Sequence, residues 1–237
     1  FKDADLSNVK LTSSNLQNAI LSGATITGAN ITSANFLING INGMRSGLLV
    51  GQPANLSQNL NLVSGFVIGY GASLSGADLS GMDFSRINLS GVKSGLVTGN
   101  PSLPSSWRLI KGHLVGQSAN LEGADLSYAD LSNLDLSGAY LKNANLKGAN
   151  LTGANLRGTD LTNAILEDAL LFGAKTASGN VGAPQSLPDN YVYSNGLLVG
   201  PNLDLSGSTL YRNYLKGIDL SGVNFSDATL TSVKLDY

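Results

Sequence analysis

The chain has 237 residues, no cysteine, one histidine and a formal net charge of −2. The lack of cysteine excludes disulfides and thiolate metal sites, and one histidine cannot supply the two or three imidazoles of a catalytic zinc site. Charged residues are 13% of the chain, whereas Leu, Gly, Ser and Asn together fill 123 of the 237 positions. Such a bias is typical of a repeat or of a disordered segment, and periodicity distinguishes the two.

Large apolar residues recur at every fifth position, and we call these positions the centres of the repeat. They run from Leu6 to Ile41, from Leu74 to Leu89, from Leu121 to Leu171 and from Leu205 to Leu235. The 30 centres are 24 Leu, 3 Ile and 3 Phe, and Ala stands two residues before 17 of them. A period of five fits neither a helix nor an alternating strand. The pattern therefore predicts short extended segments joined by turns, with the large and small apolar residues facing inward.

The second residue after a centre predicts a bend in the backbone. From Leu121 to Leu171 this residue is Gly or Asn in nine of eleven repeats. Gly and Asn accept the positive φ that the third position of a type II turn requires. Four such bends return the chain to its starting direction, so residues about 20 apart are expected to lie one strand spacing, ~4.8 Å, from each other.

Five units of the longest block share the motif Ala-(Asp/Asn)-Leu-x-x. They begin Ala124-Asp125-Leu126, Ala129-Asp130-Leu131, Ala144-Asn145-Leu146, Ala149-Asn150-Leu151 and Ala154-Asn155-Leu156. This motif resembles the pentapeptide-repeat family. The resemblance implies an all-β fold, the right-handed quadrilateral β-helix (a solenoid), and the number of centres would build about seven to eight coils at four repeats a coil.

Three related segments interrupt the repeat. We interpret the chain as a single domain, 1–237, with repeat blocks 1–46, 72–94, 119–176 and 203–237 and inserts 47–71, 95–118 and 177–202. The inserts return through apolar triplets between glycines, Gly65–Gly69, Gly112–Gly116 and Gly196–Gly200. Such triplets predict short strands, and we favour small hairpins docked on a face of the coil. Irregular coils within the stack are the alternative.

Aromatic and basic side chains of the inserts are the candidate partner-binding residues. They are Trp107, Arg108, Tyr191 and Tyr193. We favour the alternative that the aromatic rings cover the coil wall as apolar plugs. No catalytic residue is assigned, because His113 stands where the other inserts carry Phe66 and Leu197 and the serines lack a base partner. No cofactor and no metal site is expected.

Stacking of residues 20 apart predicts specific polar pairs. The carboxylate–amide pairs are Asp125–Asn145, Asp130–Asn150 and Asp135–Asn155, and the opposite-charge pairs are Glu122–Lys142 and Lys147–Glu167. Such an arrangement keeps like charges apart across neighbouring strands. The residue two before a centre is normally small and apolar. Irregular coils are expected where it is a larger or polar residue, at Asn39, Met82, Leu134, Asn213 and Ile218. Asn39 and Asn213 would need hydrogen-bond partners if they face inward.

These observations predict a non-enzymatic structural or protein-interaction scaffold whose partner is a protein. Nucleic-acid binding is not expected, because the chain has no basic stripe that could collect phosphates. No membrane span is expected, since no apolar run approaches ~18 residues. The sequence indicates neither the compartment nor the oligomeric state.

Two alternatives remain open. The family's best-known activity is binding topoisomerases such as gyrase by imitating duplex DNA, which needs a face of unneutralised carboxylates. Residues 119–174 carry seven acidic and three basic side chains, only a modest excess. The segment Ser232–Tyr237 also shows no helix of the kind that forms a dimer contact in such members. The other alternative is a carbohydrate- or cell-surface-associated module that binds glycans around the insert aromatics.

Overall fold

The structure, a computed structural model, describes residues 1–177 and 179–234. Short β-strands, single β-bridges and turns make up this part of the chain, which contains no helix, so its fold is all-β. Contacts divide the chain into two compact units, Phe1–Ser105 with Gly112–Leu114 and Ser106–Lys111 with Val115–Tyr237. The last predicted centre, Leu235, lies outside the described residues.

The strands are two or three residues long. They are β1 (Asn35–Phe36), β2 (Asn55–Leu56), β3 (Asn61–Val63), β4 (Phe66–Ile68), β5 (Arg108–Ile110), β6 (His113–Val115), β7 (Val192–Ser194), β8 (Leu197–Val199), β9 (Thr209–Tyr211) and β10 (Thr229–Thr231). Strands β1 and β2 pair in parallel, as do β9 and β10. Strand β3 is antiparallel to β4, and β7 is antiparallel to β8.

Parallel bridges join residues 20 apart within each unit, for example Asp125 with Asn145 and Asn145 with Ile165. The amide of a centre donates forward along this ladder, Leu146 N to Ile165 O at 2.7 Å. The residue before the centre donates backward, Asn145 N to Ala124 O at 2.9 Å. Hydrogen bonds on both sides of the chain thus fix the spacing that the repeat predicts.

The bends fall at the positions that the sequence predicts. From Leu121 to Leu171 all eleven residues at the second position after a centre have a positive φ, between +55° and +70°. Tyr128 and Asp168 adopt it as well as the nine Gly and Asn residues. Ala124 N donates to Leu121 O at 3.0 Å and closes the four-residue turn. This bond, with a positive φ at the third position, is characteristic of a type II turn, which confirms the prediction.

The inward positions form the core. Every centre from Leu121 to Leu171 is at most 2% exposed, and the small residues Ala144 and Ala149 are fully buried. Burying one leucine side chain contributes about 1.5–3 kcal/mol to folding. The alternation of large and small apolar residues therefore fills the interior and supplies its main stabilisation.

The positions expected to be irregular behave in two ways. Met82 and Leu134 keep the regular turn bond to the preceding centre, 3.1 and 3.3 Å, so the expectation is wrong there. Ile218 keeps this bond at 3.2 Å, but Asp219 after it forms no bridge to the ladder among the described residues, so the ladder is interrupted there as expected. The turn depends on backbone bonds, and the larger side chains are accommodated beside it; Met82 and Leu134 are buried.

The two asparagines do depart from the regular pattern. Ile38 is buried in place of Asn39, whose Nδ2 donates to Asn18 Oδ1 at 3.2 Å on the surface. Asn213 faces inward with 2% of its surface exposed, and its Nδ2 donates to Ser194 O at 2.6 Å. The buried amide therefore has the partner that its burial requires.

Replacing Leu146 or Leu151 by Ala should lower the free energy of unfolding by about 2–5 kcal/mol, because both side chains are fully buried and the ladder limits collapse around the cavity. Ala149→Leu should cost about 1–3 kcal/mol by overpacking. Urea denaturation followed by circular dichroism measures both. The control Leu170→Ala changes a side chain that is 58% exposed and should shift stability by less than about 0.5 kcal/mol. Unchanged stability of Leu146→Ala would contradict the packed core.

Candidate interaction surface

Polar side chains on the ladder pair as the spacing of 20 residues predicts. Asn145 Nδ2 donates to Asp125 Oδ1 at 3.2 Å, Asn150 Nδ2 to Asp130 Oδ1 at 3.2 Å, and Asn155 Nδ2 to Asp135 Oδ1 at 3.0 Å. Lys147 Nζ lies 2.8 Å from Glu167 Oε1, as predicted. Glu122 and Lys142 lie on neighbouring segments of the ladder, where Gly123 N donates to Lys142 O at 2.9 Å, but their side chains form no ion pair in the part of the chain that the structure describes.

The same aspartates also stabilise the turns by accepting hydrogen bonds from backbone amides. Asp125 Oδ1 accepts a hydrogen bond from Ser127 N at 3.0 Å, and Asp130 Oδ1 accepts one from Ser132 N at 3.1 Å. Hydrogen bonds from the side chain and the amide of Ser127 hold the pKa of Asp125 below its usual value, and Ser132 does the same for the pKa of Asp130. Their charge serves local turn structure.

Basic side chains neutralise part of the acidic excess in the long block. Lys111 Nζ lies 3.6 Å from Asp125 Oδ2 and donates to Ser127 O at 3.0 Å. Lys147 pairs with Glu167 and also lies 3.9 Å from Asp168 Oδ2. The hydrogen bond from its ammonium to Glu167 and the charge of that carboxylate raise the pKa of Lys147. The block therefore does not present a uniform row of unpaired carboxylates.

A buried hydroxyl anchors each insert to the repeat. Each of the three blocks that precede an insert ends on such a hydroxyl, five residues after the last centre of the block. The residues are Ser46, Ser94 and Thr176, and they are at most 7% exposed. Each one bonds the middle residue of a return strand: Ser46 Oγ accepts from Val67 N at 2.9 Å, Ser94 Oγ accepts from Leu114 N at 2.8 Å, and Thr176 Oγ1 donates to Leu198 O at 3.0 Å. We call these hydroxyls the exit anchors. Sequence reasoning missed them, although a hydroxyl on the fifth-residue period was a visible signal.

The glycines that close the return triplets make room for a large side chain. A Cβ at Gly116 would lie 2.5 Å from the Trp107 ring, and a Cβ at Gly200 would overlap the Tyr191 ring. Trp107 is 7% exposed, and the Tyr191 hydroxyl donates to Pro201 O at 2.9 Å. Burial raises the pKa of Tyr191. The indole and this phenol are thus engaged by their own insert.

The other candidate residues have internal partners too. The Tyr193 hydroxyl donates to Asn180 O at 2.8 Å, and burial raises the pKa of Tyr193. Arg108 is exposed, and its Nη1 donates to Trp107 O at 3.3 Å. His113 Nδ1 lies 3.2 Å from Ser94 O, in the position that the other inserts fill with Phe66 and Leu197. Each of these side chains therefore has a partner in its own insert or at the residue where that insert leaves the ladder.

At the third insert, a cation of the repeat block reaches across the place where the insert leaves the ladder. Arg157 Nη2 donates to Ser206 O at 2.7 Å and to Ser206 Oγ at 3.2 Å. Burial opposes ionisation of nearby Asp204, but hydrogen bonds from Ser206 and the Arg157 charge leave the pKa of Asp204 below its usual value.

Asn180 is 5% exposed, and its side-chain amide has no hydrogen-bond partner among the described residues.

An open cleft lies beside the exit of the first insert. Its volume is about 530 Å³, within the range of ligand sites. Arg45, Leu48, Phe66, Gly76 and Asp78 line it, together with serine and threonine hydroxyls. The Phe66 ring covers Gly47, where a Cβ would lie 2.9 Å from the ring.

Among residues 1–177 and 179–234, no group of three or more His, Asp or Glu side chains comes together in a way that could hold a metal ion. No helix in these ranges is long and apolar enough to cross a membrane.

The ladder, its five-residue repeat units and its alternating core define an all-β repeat protein. The family model described as "Pentapeptide repeats" matches the chain in eight copies, over residues 1–36, 70–93, 117–143, 139–175 and 202–236. These matches cover more than half of the sequence, so the chain belongs to the pentapeptide-repeat family. None of the curated proteins compared with the sequence matches it.

Solved structures of similar proteins come from several sources. HetL, a pentapeptide repeat protein involved in heterocyst differentiation regulation in the cyanobacterium Nostoc, is 22% identical over 99% of this chain and 90% of its own, with a TM-score of 0.26. QnrB1, a plasmid-mediated fluoroquinolone resistance protein, is 15% identical over 98% of this chain and 85% of its own, with a TM-score of 0.23. A pentapeptide repeat protein of the Arabidopsis thaliana thylakoid lumen is 27% identical over 46% of this chain, with a TM-score of 0.23. That match spans 59% of the thylakoid protein, less than two thirds of its length.

Replacing Ser46 by Ala should lower the free energy of unfolding by about 1–3 kcal/mol, because the fully buried Val67 amide loses its acceptor. Ser46→Thr should retain most of the stability, since threonine keeps a hydroxyl that can accept from the Val67 amide, and Thr176 is accommodated at the equivalent buried position of the third insert. Chemical denaturation of both variants, beside the control Ser106→Ala at an exposed serine, measures the effect. Equal stability of Ser46→Ala and Ser106→Ala would show that the exit anchor does not hold the insert.

Proposed function

We propose that the protein is a non-enzymatic scaffold that binds another protein. The observation that supports this function is the exposure of two large apolar side chains on a fixed ladder. Leu170 and Phe172 are 58% and 65% exposed on either side of buried Leu171. Twenty residues earlier, the neighbouring positions on the ladder are Asn150 and Thr152. An exposed apolar pair where the repeat normally carries polar residues is surface that a protein partner would cover.

The architecture that accompanies this function is a right-handed quadrilateral β-helix of seven to eight coils, forming a single domain over 1–237. Parallel bridges between residues 20 apart support the stacked coils. The inserts at 47–71, 95–118 and 177–202 are hairpins docked on the wall of this β-helix. Antiparallel β3–β4 and β7–β8 support this proposal, as do the turns Ser64-Gly65 and Asn195-Gly196, where both residues have a positive φ as in type I′ turns.

The insert residues considered for partner contact are not equivalent. Trp107 is buried, and the hydroxyls of Tyr191 and Tyr193 donate to carbonyls of their own insert. Arg108 is exposed. We therefore assign the aromatic side chains to covering the wall and Arg108 to the outer surface.

Affinity capture from extracts of the native source tests the scaffold function. The immobilised full chain should retain one or a few proteins, and the double variant Leu170→Asn with Phe172→Thr should retain them at least 10-fold less. This variant introduces the residues found one ladder turn earlier, so it should fold normally. Lys216→Ala, a change at another exposed position, is the control and should bind as the parent does.

Two results would contradict the proposal. The first is retention of no protein above the background of a denatured chain, and the second is equal retention by the double variant. A purified captured protein should then bind the purified chain directly, which separates a partner from a contaminant.

The two alternative functions draw less support. DNA imitation needs a dense row of free carboxylates, whereas Lys111 and Lys147 sit on this row and asparagines alternate with its aspartates. The chain should therefore leave gyrase supercoiling unchanged. Glycan binding needs exposed ring faces to stack on a sugar, whereas the Trp107 ring is buried against Gly116.

A further inference from the structure

Two leucines near the exits of the first and second inserts have an unfavourable backbone. Leu48 has a φ of +52° and Leu96 a φ of +55°, and they are the only leucines with a left-handed backbone among the described residues. They are also 76% and 84% exposed. A side chain with a Cβ costs free energy in this region, which glycine occupies without strain. Neither the strain nor the exposure benefits the fold.

Leu48 lines the open cleft of the first unit together with Gly76, and Leu96 follows on the next strand of the ladder. Gly76 stands at the corresponding place in the turn between them, and its amide donates to Gly95 O at 2.8 Å, next to Leu96. A Cβ at Gly76 would meet no atom within 4 Å. No backbone hydrogen bond joins Leu48 to Gly76 in the described residues, and the cleft of about 530 Å³ opens there.

Two cations accompany the leucines. Arg45 and Lys93 each stand three residues before a leucine, in the copied sequences Arg45-Ser-Gly-Leu48 and Lys93-Ser-Gly-Leu96. Both bridge to Ser73, so they lie two strand spacings apart, about 10 Å. Neither forms an ion pair or a side-chain hydrogen bond within residues 1–177 and 179–234. We call Arg45, Leu48, Gly76, Lys93 and Leu96 the corner surface.

Acidic groups near the corner surface have other partners or lie further away. Asp78 lines the cleft, but its Oδ1 accepts from Ser80 N at 3.0 Å and from Ser80 Oγ at 2.7 Å. Asp5 is separated from Arg45 by Thr25 along the ladder. The two cations therefore leave the corner surface with an excess of positive charge.

The third insert leaves the ladder in the same way as the first, but a side chain spans the place where it leaves. There Arg157 reaches across the exit and donates to Ser206. At the first insert the corresponding places hold Thr27 and Ser75, and Thr27 is too short to fill the space. The third insert also has no leucine at the position of Leu48. At the first insert, by contrast, the cleft lies open beside the exposed Leu48.

We infer that the corner surface binds an acidic peptide segment of a partner protein that carries an apolar side chain. The apolar side chain enters the space over Gly76 between Leu48 and Leu96, and acidic side chains pair with Arg45 and Lys93. Two apolar contacts with flanking cations fit such a segment by shape and charge. This inference rests on the proposed scaffold function and adds a second surface to it.

Selection from a displayed library of random 10-residue peptides against the purified full chain tests this inference. Selected peptides should be rich in Asp and Glu around one large apolar residue. Leu48→Gly with Leu96→Gly should weaken their binding at least 10-fold without lowering the melting temperature, because glycine suits the left-handed backbone. Arg45→Glu with Lys93→Glu should weaken it at least as much. The control Ile20→Ala with Lys142→Glu, at an exposed isoleucine and an exposed lysine outside both surfaces, should bind as the parent does.

Several results would overturn the inference. They are a selection that enriches no peptide, enrichment of basic peptides, and equal binding by the Leu48→Gly with Leu96→Gly variant. The parent chain could instead sediment with phosphatidylserine vesicles and bind no peptide, while the Leu48→Gly with Leu96→Gly variant does not sediment. This result would assign the surface to a membrane. If extract proteins are captured equally by the parent and this variant, the corner surface fails while the scaffold function stands. If no protein is captured at all, the scaffold function fails.

Discussion

The structure depends on backbone hydrogen bonds between residues 20 apart. Leu146 N bonds Ile165 O, and Asn145 N bonds Ala124 O, so each five-residue unit is held from both sides. This register requires a bend after every centre, and the bend requires a positive φ. It also directs the centre and the small residue before it inward. The composition follows from this single constraint, since Leu and Ala fill the core while Gly and Asn form the bends.

The polar surface follows from the same register. Because residues 20 apart are neighbours, Asp125 meets Asn145 and Lys147 meets Glu167. These contacts stabilise turns and hold neighbouring strands together. They also pair many of the carboxylates that a DNA-like surface would need to leave unpaired. Apolar exposure is what distinguishes particular places on such a surface. Leu48 and Leu96 stand out most, because their backbone is strained as well.

The periodic features were predictable from the sequence, and the inserts were predictable only in part. A fixed period determines both neighbours and direction, which is why the pairs of Asp130 with Asn150 and Lys147 with Glu167 could be predicted. The role of Ser46 could not, because it depends on where a return strand lies against the ladder, and no local pattern encodes that position. Glu122 and Lys142 lie on neighbouring segments but form no ion pair among the described residues, since proximity on a surface does not fix two long, solvated side chains.

Deletion of whole or partial ladder turns tests the central claim, that a register of 20 residues holds the repeat together. Removing residues 131–150 joins Asp130 to Leu151 and preserves the period, so this variant should show the β-type circular dichroism of the parent and unfold cooperatively. Removing residues 131–148 displaces every later centre by two positions and should abolish cooperative unfolding. Cooperative unfolding of both variants alike, or loss of structure in the 20-residue deletion, would contradict the account.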